Sequence, residues 1–459
     1  MWNRNEQTIC AISTPHGVGG LAVIRISGPQ SLQFSKKIVK TLKARSAPES
    51  HRAYFSEIID LEGGKVDEAV VTYFAEGKSF TGEEVVEISC HGSRFIAQQI
   101  LDLLILCGCQ MAGKGEFTFR AFMNGRLDLV QAESVLALIE SQNKSAAKVA
   151  LRQLDGHVSK EFESVISDLT WCLAHIEASI DFAEQGIEVV DPQVLILKLK
   201  CISAMLKKLK DSYQAGRLIK DGVKIALVGE PNVGKSSLLN LLVQSDRAIV
   251  TPIAGTTRDV VEGEVVYEGV KYSFSDTAGL RETQDQVEII GIDKSKKEAE
   301  KADLLCFVVD GSAADWKRSI QLSEQLKNAK KIFLLNKSED LTEPQRLALL
   351  DRLPAGALAL ATSALLPESR DRIFASIREV IGSLEYLDES IISSSRQFEQ
   401  VSYAFEMISN SIAELEKNTG AEFVAMYLKE SLIALQKILG QVYDDQIMDR
   451  VFKEFCLGK

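Results

Sequence analysis

The stretch "GEPNVGKS", residues 229–236, constrains the fold of this chain more than any other part of its sequence. It has the pattern GxxxxGK[ST], and it lies directly after the strand-like run "KIALV" and before the helix-like run "SSLLNLLV". Glycines in such a loop let backbone N–H groups converge on phosphates at the helix N-terminus, while the lysine reaches the β- and γ-phosphates and the serine coordinates Mg²⁺. The pattern therefore predicts a nucleotide-binding α/β domain. The predicted phosphate-loop residues are Gly229, Asn232, Val233, Gly234, Lys235, Ser236 and Ser237.

Two further motifs follow at the distances expected for a Ras-like domain. "GTTRD" offers two threonines to the nucleotide, and we expect Thr257 to complete, with Ser236, the protein ligands of Mg²⁺. "DTAG" places an aspartate near the metal and a glycine N–H within reach of the γ-phosphate. The run "VVEGEVVYEGVKYSFS" between the two motifs predicts an antiparallel hairpin. The nucleotide-contacting residues predicted in the two motifs are Thr256, Thr257, Asp276, Thr277, Ala278 and Gly279.

The base-reading motifs predict that the nucleotide is GTP. "NKSE" follows the strand-like run "KIFLL" at the place of a guanine-reading NKxD, and "TSAL" follows "ALALA" like the last base-contacting loop. Glu339 stands where an aspartate would accept both the N1–H and the N2–H of guanine, and Asp340 comes one position later. Either Glu339 retracts to read guanine or a slip of the loop brings in Asp340; the geometry of a shared carboxylate favours Glu339. The residues predicted to contact the base are Asn336, Lys337, Glu339, Ser363, Ala364 and Leu365.

One catalytic residue of Ras-like GTPases is missing. Leu280 follows "DTAG", so no glutamine is available there to orient the attacking water. Arg258 and Arg281 are candidates for supplying positive charge to the transition state, but a solvated switch segment or a salt bridge explains them equally well.

The composition narrows the class of protein. The chain has 459 residues, of which 46% are hydrophobic and 25% charged, as is ordinary for a soluble globular protein. It has no uninterrupted apolar run long enough for a membrane span and no signal-peptide pattern, which predicts a cytosolic protein without a membrane partner. A net charge of −11 argues against a chain that coats itself with nucleic acid, although a local patch could still hold tRNA. Only Cys107 and Cys109 cluster among the eight cysteines, and burial explains them better than a metal site.

The apolar pattern changes along the chain and predicts its domains. Residues 1–118 alternate strand-like runs such as "LAVIRISG" with turns and helical stretches, which predicts a small α/β domain. In residues 119–215 and 381–459, apolar residues recur at spacings of three and four, which predicts helices. The nucleotide-binding pattern spans residues 216–380. We therefore predict a multidomain fold, α/β plus all-α, with a Ras-like G domain inserted in a helical domain; two separate helical bundles are the alternative.

Segments from the whole chain resemble one family. The N-terminal ones are "STPHGVGGLAVIRISG", "SFTGEEVVEISCHG" and "GEFTFRAFMNGRLDLVQAES", and the chain ends in "FCLGK". Together with "GEPNVGKSSLLN", "GTTRD" and "DTAGLRET", they resemble the MnmE (TrmE) family of tRNA-modification GTPases. The terminal CxGK and the "RAFxNGRxDLxQAE" stretch are more specific to that family than the shared GTPase motifs.

The resemblance implies an enzyme that works with a flavoprotein partner, MnmG (GidA). The two proteins install an aminomethyl or carboxymethylaminomethyl group at C5 of the wobble uridine, U34, of certain tRNAs. The N-terminal domain is expected to dimerise and to bind a tetrahydrofolate derivative, 5-formyl- or methylene-tetrahydrofolate, as the one-carbon source. Without the resemblance, each folate residue would be interpreted as part of a surface ion pair. The residues at folate-contacting positions are Arg25, Glu83, Arg126 and Lys459.

The resemblance also accounts for the missing glutamine. G domains of this family are activated by dimerising across their nucleotide faces, with K⁺ supplying the charge of an arginine finger. Asn232 matches the K⁺-binding asparagine, and Glu288 matches the glutamate that orients or activates water. Main-chain oxygens of Thr251, Ile253 and Thr256 are the expected further K⁺ ligands.

Cys456 follows the amphipathic run "DDQIMDRVFKEF" and is predicted to lie just past a helix end. We predict a reactive thiol, because the terminal Lys459 favours thiolate and Gly458 is expected to act as a hinge. In the family, such a thiol takes part in folate or uridine chemistry. The alternative function is a regulatory GTP-binding switch that recruits partners, for example in ribosome assembly. A thiol beside a folate-like site distinguishes the two, because a pure switch does not need one.

Overall fold

The structure of the chain is a computed structural model, and most of the sequence is described by it. The described residues are 7–15, 17–182, 191–243, 263–276, 301–312, 316, 320–321, 323–324, 330–339, 341–350, 353, 357–382, 390–417, 420–442, 444–456 and 458.

A mixed sheet forms the N-terminal part of the described chain, in the strand order β3-β4-β5-β2-β1-β6. Its strands are β1 (Ile9–Ile12), β2 (Leu21–Ser27), β3 (Arg52–Ile59), β4 (Lys65–Phe74), β5 (Val85–His91) and β6 (Gln110–Met111). The first helices of the chain are α1 (Ser31–Ile38), α2 (Lys40–Lys43), α3 (Arg94–Cys107) and α4 (Glu116–Met123). Alternate residues of β2 point into the core, where Ile24 and Ile26 are fully buried together with Leu104 of α3. On the other face, Phe117 of α4 packs with Ile9 of β1.

Helices from before and after the nucleotide-binding domain pack together. The earlier ones are α5 (Leu129–Glu140), α6 (Lys144–Leu154), α7 (His157–Asp181) and α8 (Pro192–Asp221). The later ones are α12 (Ser395–Glu416), α13 (Ala421–Leu439) and α14 (Asp445–Lys453). Helix α7 packs along α13, and α14 packs on α4, where Phe452 contacts Phe119 edge to face at 5.3 Å between ring centroids. The prediction of an inserted domain is therefore confirmed, and the alternative of two separate bundles is wrong.

The second sheet has the order β12-β11-β10-β7-β9-β8, with helices on both faces. Its strands are β7 (Val223–Val228), β8 (Gly263–Tyr267), β9 (Val270–Asp276), β10 (Leu304–Asp310), β11 (Lys330–Asn336) and β12 (Leu358–Ala361). The helices described in this part of the chain are α9 (Lys235–Val243), α10 (Glu343–Leu350) and α11 (Glu368–Ile381). All neighbouring strands are parallel except β8 and β9, which form the predicted antiparallel hairpin. Parallel strands end at one edge, so β7, β10 and β11 bring their following loops together.

The chain divides into two compact units. One comprises residues 1–139, 151–207 and 399–459, and the other comprises residues 140–150 and 208–398. The predicted domain boundaries near residues 118, 215 and 380 stay predictions. Among the described helices, none has both the length and the apolar character that crossing a bilayer requires.

Candidate functional site

The phosphate loop has the backbone that its sequence pattern predicts. It leads from the end of β7 into α9, and both Asn232 and Gly234 have left-handed backbone, with φ of 64° and 94°. A side chain at Gly234 would place its Cβ 2.2 Å from the Nδ2 atom of Asn336, so only glycine fits. The Lys235 ammonium is buried and donates hydrogen bonds to the carbonyl oxygens of Gly229 and Glu230 at 3.0 and 2.8 Å.

Asn336, the first residue of the base-reading motif, connects the phosphate loop to the last base-contacting loop. Its side chain is buried, and its Nδ2 donates to the carbonyl oxygen of Val233 at 2.8 Å. Its Oδ1 accepts from the backbone N–H of Ala364 at 3.2 Å. The structure therefore brings together three of the sequence-predicted segments, and Asn336 holds them in register.

Lys337 lies over the phosphate loop in left-handed backbone, with φ of 57°. Its ammonium donates to the carbonyl oxygen of Asn232 at 2.9 Å and to the Asp310 carboxylate at 2.6 Å. Burial acts to raise the pKa of Asp310, but hydrogen bonds from Lys337 and Ser312 outweigh it and hold that pKa below its usual value. No sequence motif identifies Asp310 as a site residue. Its position at the end of the apolar run "LLCFVVD" was the available signal.

Glu339 lies in the loop after β11, and hydrogen bonds fix both this loop and the facing loop, which follows β12. The preceding Ser338 donates through its N–H and its hydroxyl to the carbonyl oxygen of Thr362, at 3.2 and 2.7 Å. The Ser363 hydroxyl accepts from the N–H of Leu365 at 3.1 Å, which fixes the facing loop. One carboxylate oxygen of Glu339, Oε2, is buried and has no hydrogen-bond partner among the described residues. Leaving a buried carboxylate oxygen without a donor costs free energy, so this oxygen needs an explanation.

Part of the predicted G-domain site lies outside the described residues. The backbone of Asp276 is described at the end of β9, in register with Leu227 of β7. Ser236 and Ser237 are exposed in the first turn of α9. The predicted site residues outside the described part are Thr251, Ile253, Thr256, Thr257, Thr277, Ala278, Gly279, Glu288 and Lys459. Asp340, Arg258 and Arg281 also lie outside it.

Arg25 is held on β2 by a carboxylate and two aromatic rings. Its Nε donates to Glu87 on the neighbouring strand at 2.8 Å. Its guanidinium carbon lies 5.6 Å from the ring centroids of both Phe80 and Phe117. The ion pair expected in the absence of a family resemblance is therefore present, while the rings fix the plane of the guanidinium.

Glu83 belongs to a buried ionic network that no sequence motif predicts. Both of its carboxylate oxygens accept from one Nη of Arg120, at 3.1 and 3.2 Å, and the Ser27 hydroxyl donates to Oε2 at 2.6 Å. The other Nη of Arg120 donates to Glu116 at 2.9 Å. Arg120 is only 4% exposed, so one cation serves two carboxylates away from water. The available signal was the acidic Glu116 four residues before Arg120 on one helix face.

Arg126 and Cys456 are two further residues of the predicted site that the structure describes. Arg126 is exposed, and its aliphatic stem lies beside Gly82, next to Glu83 in sequence. Cys456 is exposed beyond the end of α14, as predicted, and its carbonyl oxygen accepts from the N–H of Gly115 at 3.4 Å.

The prediction that Gly458 acts as a hinge needs correction. Gly458 is buried against β1, where a Cβ would lie 2.3 Å from the carbonyl oxygen of Ile12. Its φ of 87° also disfavours other residues. Glycine is therefore required at this position for close backbone approach. Because Ala11 of β1 pairs with Arg25 of β2, Gly458 lies beside the strand that neighbours a predicted folate residue.

These features define a P-loop GTPase whose G domain interrupts a helical domain. Residues 129–456 match the family model of the MnmE helical domain, and residues 8–126 match that of the GTP-binding protein TrmE N-terminus. The tRNA modification GTPase MnmE of Bdellovibrio bacteriovorus is 48% identical and aligns over 100% of this chain and 98% of its own length. That of Flavobacterium johnsoniae is 38% identical over 99% of this chain and 100% of its own. The chain belongs to the MnmE family of tRNA modification GTPases, and it is a GTP hydrolase by class.

Solved structures of other GTPases are similar over part of the chain. The crystal structure of Aquifex aeolicus Era bound to GDP and AlF4⁻ is 25% identical and covers 40% of this chain and 66% of that one, at a TM-score of 0.29. The family assignment rests on the sequence matches.

Proposed function

We propose that this chain is a K⁺-activated GTPase that acts on tRNA with a flavoprotein partner of the MnmG (GidA) type. The pair installs an aminomethyl or carboxymethylaminomethyl group at C5 of the wobble uridine, using a one-carbon unit of a tetrahydrofolate. The observation that carries the GTPase part is the buried, unpaired Oε2 of Glu339, in the motif whose first two residues, Asn336 and Lys337, contact the phosphate loop. Family membership supports the tRNA part.

Guanine recognition follows from the fixed loops around Glu339. The Glu339 carboxylate accepts the N1–H and N2–H of guanine, because the donors that would satisfy its buried oxygen are otherwise missing from the described residues. Asn336 hydrogen-bonds to both the phosphate loop and the loop after β12. The segments that bind the base and the phosphates are therefore connected. Lys235 exchanges its loop carbonyls for the β- and γ-phosphates, and Ser236 with Thr257 holds Mg²⁺.

Asn232 fits a monovalent cation better than it fits a direct catalytic role. It is exposed in the phosphate loop, and Lys337 fixes its backbone by donating to its carbonyl oxygen. The uncharged side chain carries an oxygen that can bind a cation, together with carbonyl oxygens of Thr251, Ile253 and Thr256. A K⁺ held there would supply positive charge to the transition state. Glu288 orients the attacking water.

The predicted folate residues supply cations and one free carboxylate acceptor to the ligand. Of the roughly four lone-pair positions on the Glu83 carboxylate, three already accept hydrogen bonds from Arg120 and Ser27. Glu83 therefore offers one acceptor, on Oε1, to a pterin N–H. Arg25, Arg126 and Lys459 supply cations for the glutamate tail.

The proposed function also includes dimerisation and a reactive thiol. The N-terminal domains form a homodimer in the cytoplasm, and the G domains associate across their nucleotide faces during hydrolysis. The exposed Cys456 acts as a reagent in the folate or uridine chemistry.

Nucleoside analysis of tRNA tests this function. A strain lacking the gene should lose the modified wobble uridine, a plasmid copy should restore it, and a Lys235→Ala copy should not, because the lysine contacts the transferred phosphate. Liquid chromatography with mass spectrometry measures the modified uridine. Normal levels in the deletion strain would contradict the proposal.

A further inference from the structure

A run of cations stands out in this acidic chain. Residues 31–46, "SLQFSKKIVKTLKARS", contain five lysines and arginines and no acidic residue, although the net charge of the chain is −11. Helices α1 and α2 turn Phe34, Ile38 and Leu42 into the core. The cations between these anchors therefore face outward. We call the surface formed by Lys36, Lys37, Lys40, Lys43, Arg45 and the neighbouring Lys65 the basic groove.

The surface is concave. Two adjoining depressions of about 420 and 500 Å³ share Lys43, Ile59 and Gly63 as lining residues. Lysines of α1, α2 and β4 form the rim, and the turn between β3 and β4 forms the far side. A groove of this kind surrounds a polyanion better than a flat surface does, because several cations approach it from different sides.

Four of the cations keep their charge uncompensated. The ammonium groups of Lys36 and Lys37 donate to neutral backbone carbonyls, both at 3.0 Å. Lys43 makes no ion pair within the described part of the chain. The Arg45 guanidinium lies over the Tyr54 ring at 4.8 Å, which leaves its donors exposed and limits its rotamers.

Three acidic residues, Glu57, Asp60 and Glu62, line the two depressions, against the six cations of the groove. Glu57 pairs with Lys40 at 2.7 Å, and Lys65 pairs with the outward-facing Glu68 at 2.6 Å. One oxygen of Asp60 accepts from the N–H groups of Glu62 and Gly64, at 3.0 and 2.7 Å. The groove therefore keeps an excess of positive charge.

We propose that the basic groove binds the phosphate backbone of tRNA. The inference rests on the proposed tRNA modification and adds a surface that contacts the substrate away from the nucleotide site. Lysine and arginine contacts to phosphates supply sequence-independent affinity and fix the orientation of an RNA. A membrane surface fits less well, because the apolar face of α1 is buried in the core and cannot insert into lipid.

Charge reversal at Lys43, which lines both depressions, and at the nearby Arg45 tests the proposal. The test variant is Lys43→Glu/Arg45→Glu in the full chain, and the matched control is Lys160→Glu/Lys207→Glu, which changes the net charge equally at exposed sites on α7 and α8. Anisotropy of a fluorescein-labelled, unmodified tRNA transcript measures the dissociation constant over a range of KCl concentrations. Thermal melting checks that each variant is folded.

The groove variant should bind about tenfold more weakly at low salt, and the slope of log K against log salt should fall by about two, because two phosphate contacts are lost. The control should keep the wild-type affinity and slope. Equal losses in both variants, an unchanged groove variant, or no binding by the wild-type chain would each overturn the proposal. Loss of binding to phosphatidylserine vesicles with tRNA binding intact would also overturn it. The nucleoside analysis tests the proposed function separately, because loss of the modified uridine in the deletion strain does not depend on which surface binds the tRNA.

Discussion

Glu339 gives the sharpest test of how the base is read. Its Oε2 is buried without a partner among the described residues, and under the proposed function its carboxylate accepts two guanine N–H groups. Truncating one member of a buried, charge-assisted pair costs about 2 to 5 kcal/mol, which corresponds to roughly 30-fold to several thousand-fold in the dissociation constant. We therefore expect Glu339→Ala to weaken GTP binding by at least that lower factor.

Asp340→Ala is the matched control, because it removes a neighbouring carboxylate of the same loop. Titration of a fluorescent GTP analogue into each purified variant gives both dissociation constants. We expect the Asp340 variant to stay within a few-fold of the wild-type value. A larger loss from Asp340→Ala than from Glu339→Ala would mean that the loop has slipped by one residue, and the assignment of Glu339 would be refuted.

Three further predictions concern residues outside the base site. Arg120→Met should destabilise the N-terminal domain by about 3–5 kcal/mol, because Glu83 and Glu116 lose their shared buried cation; urea denaturation measures this, and a loss below about 1 kcal/mol would match a surface pair instead. Cys456→Ser should leave folding and GTP hydrolysis near normal but abolish the modified wobble uridine in tRNA from a complemented deletion strain, where normal levels would make the thiol structural. The depressed pKa of Asp310 contributes stability that is present above its unfolded pKa and lost as pH falls through its lower folded pKa. Asp310→Asn should therefore flatten the pH dependence of unfolding below about pH 4, and an unchanged profile would exclude that contribution.

Local sequence patterns predicted the elements well where one physical signal was strong. The run "KIALV" is fixed as a strand by its continuous apolar residues, and the phosphate loop after it by Gly234, which adopts left-handed backbone. The amphipathic run "DDQIMDRVFKEF" became α14, capped by Asp444, whose side chain accepts from two backbone N–H groups. Strands β1 and β3 were not singled out, because "ICAI" is too short to show a period and "RAYFSEII" mixes charges with apolar residues.

Contacts between residues far apart in the sequence could not be predicted from local patterns. Glu83 and Arg120 form an ion pair across 37 positions, and Lys337 and Asp310 form one across 27. No local sequence pattern predicts either pair. Gly458 is predicted to act as a hinge because glycine permits more backbone conformations than other residues. Its close approach to β1 depends on where the C-terminal residues return, which only the tertiary fold determines.

The central proposal is that a K⁺ held by Asn232 activates GTP hydrolysis. The direct measurement is phosphate release by the purified chain in KCl and in NaCl at equal ionic strength, for the wild type and for Asn232→Ala. The wild type should hydrolyse GTP about tenfold faster or more in KCl, and the variant should lose this acceleration while still binding GTP. Equal rates of the wild type in the two salts would contradict the proposal.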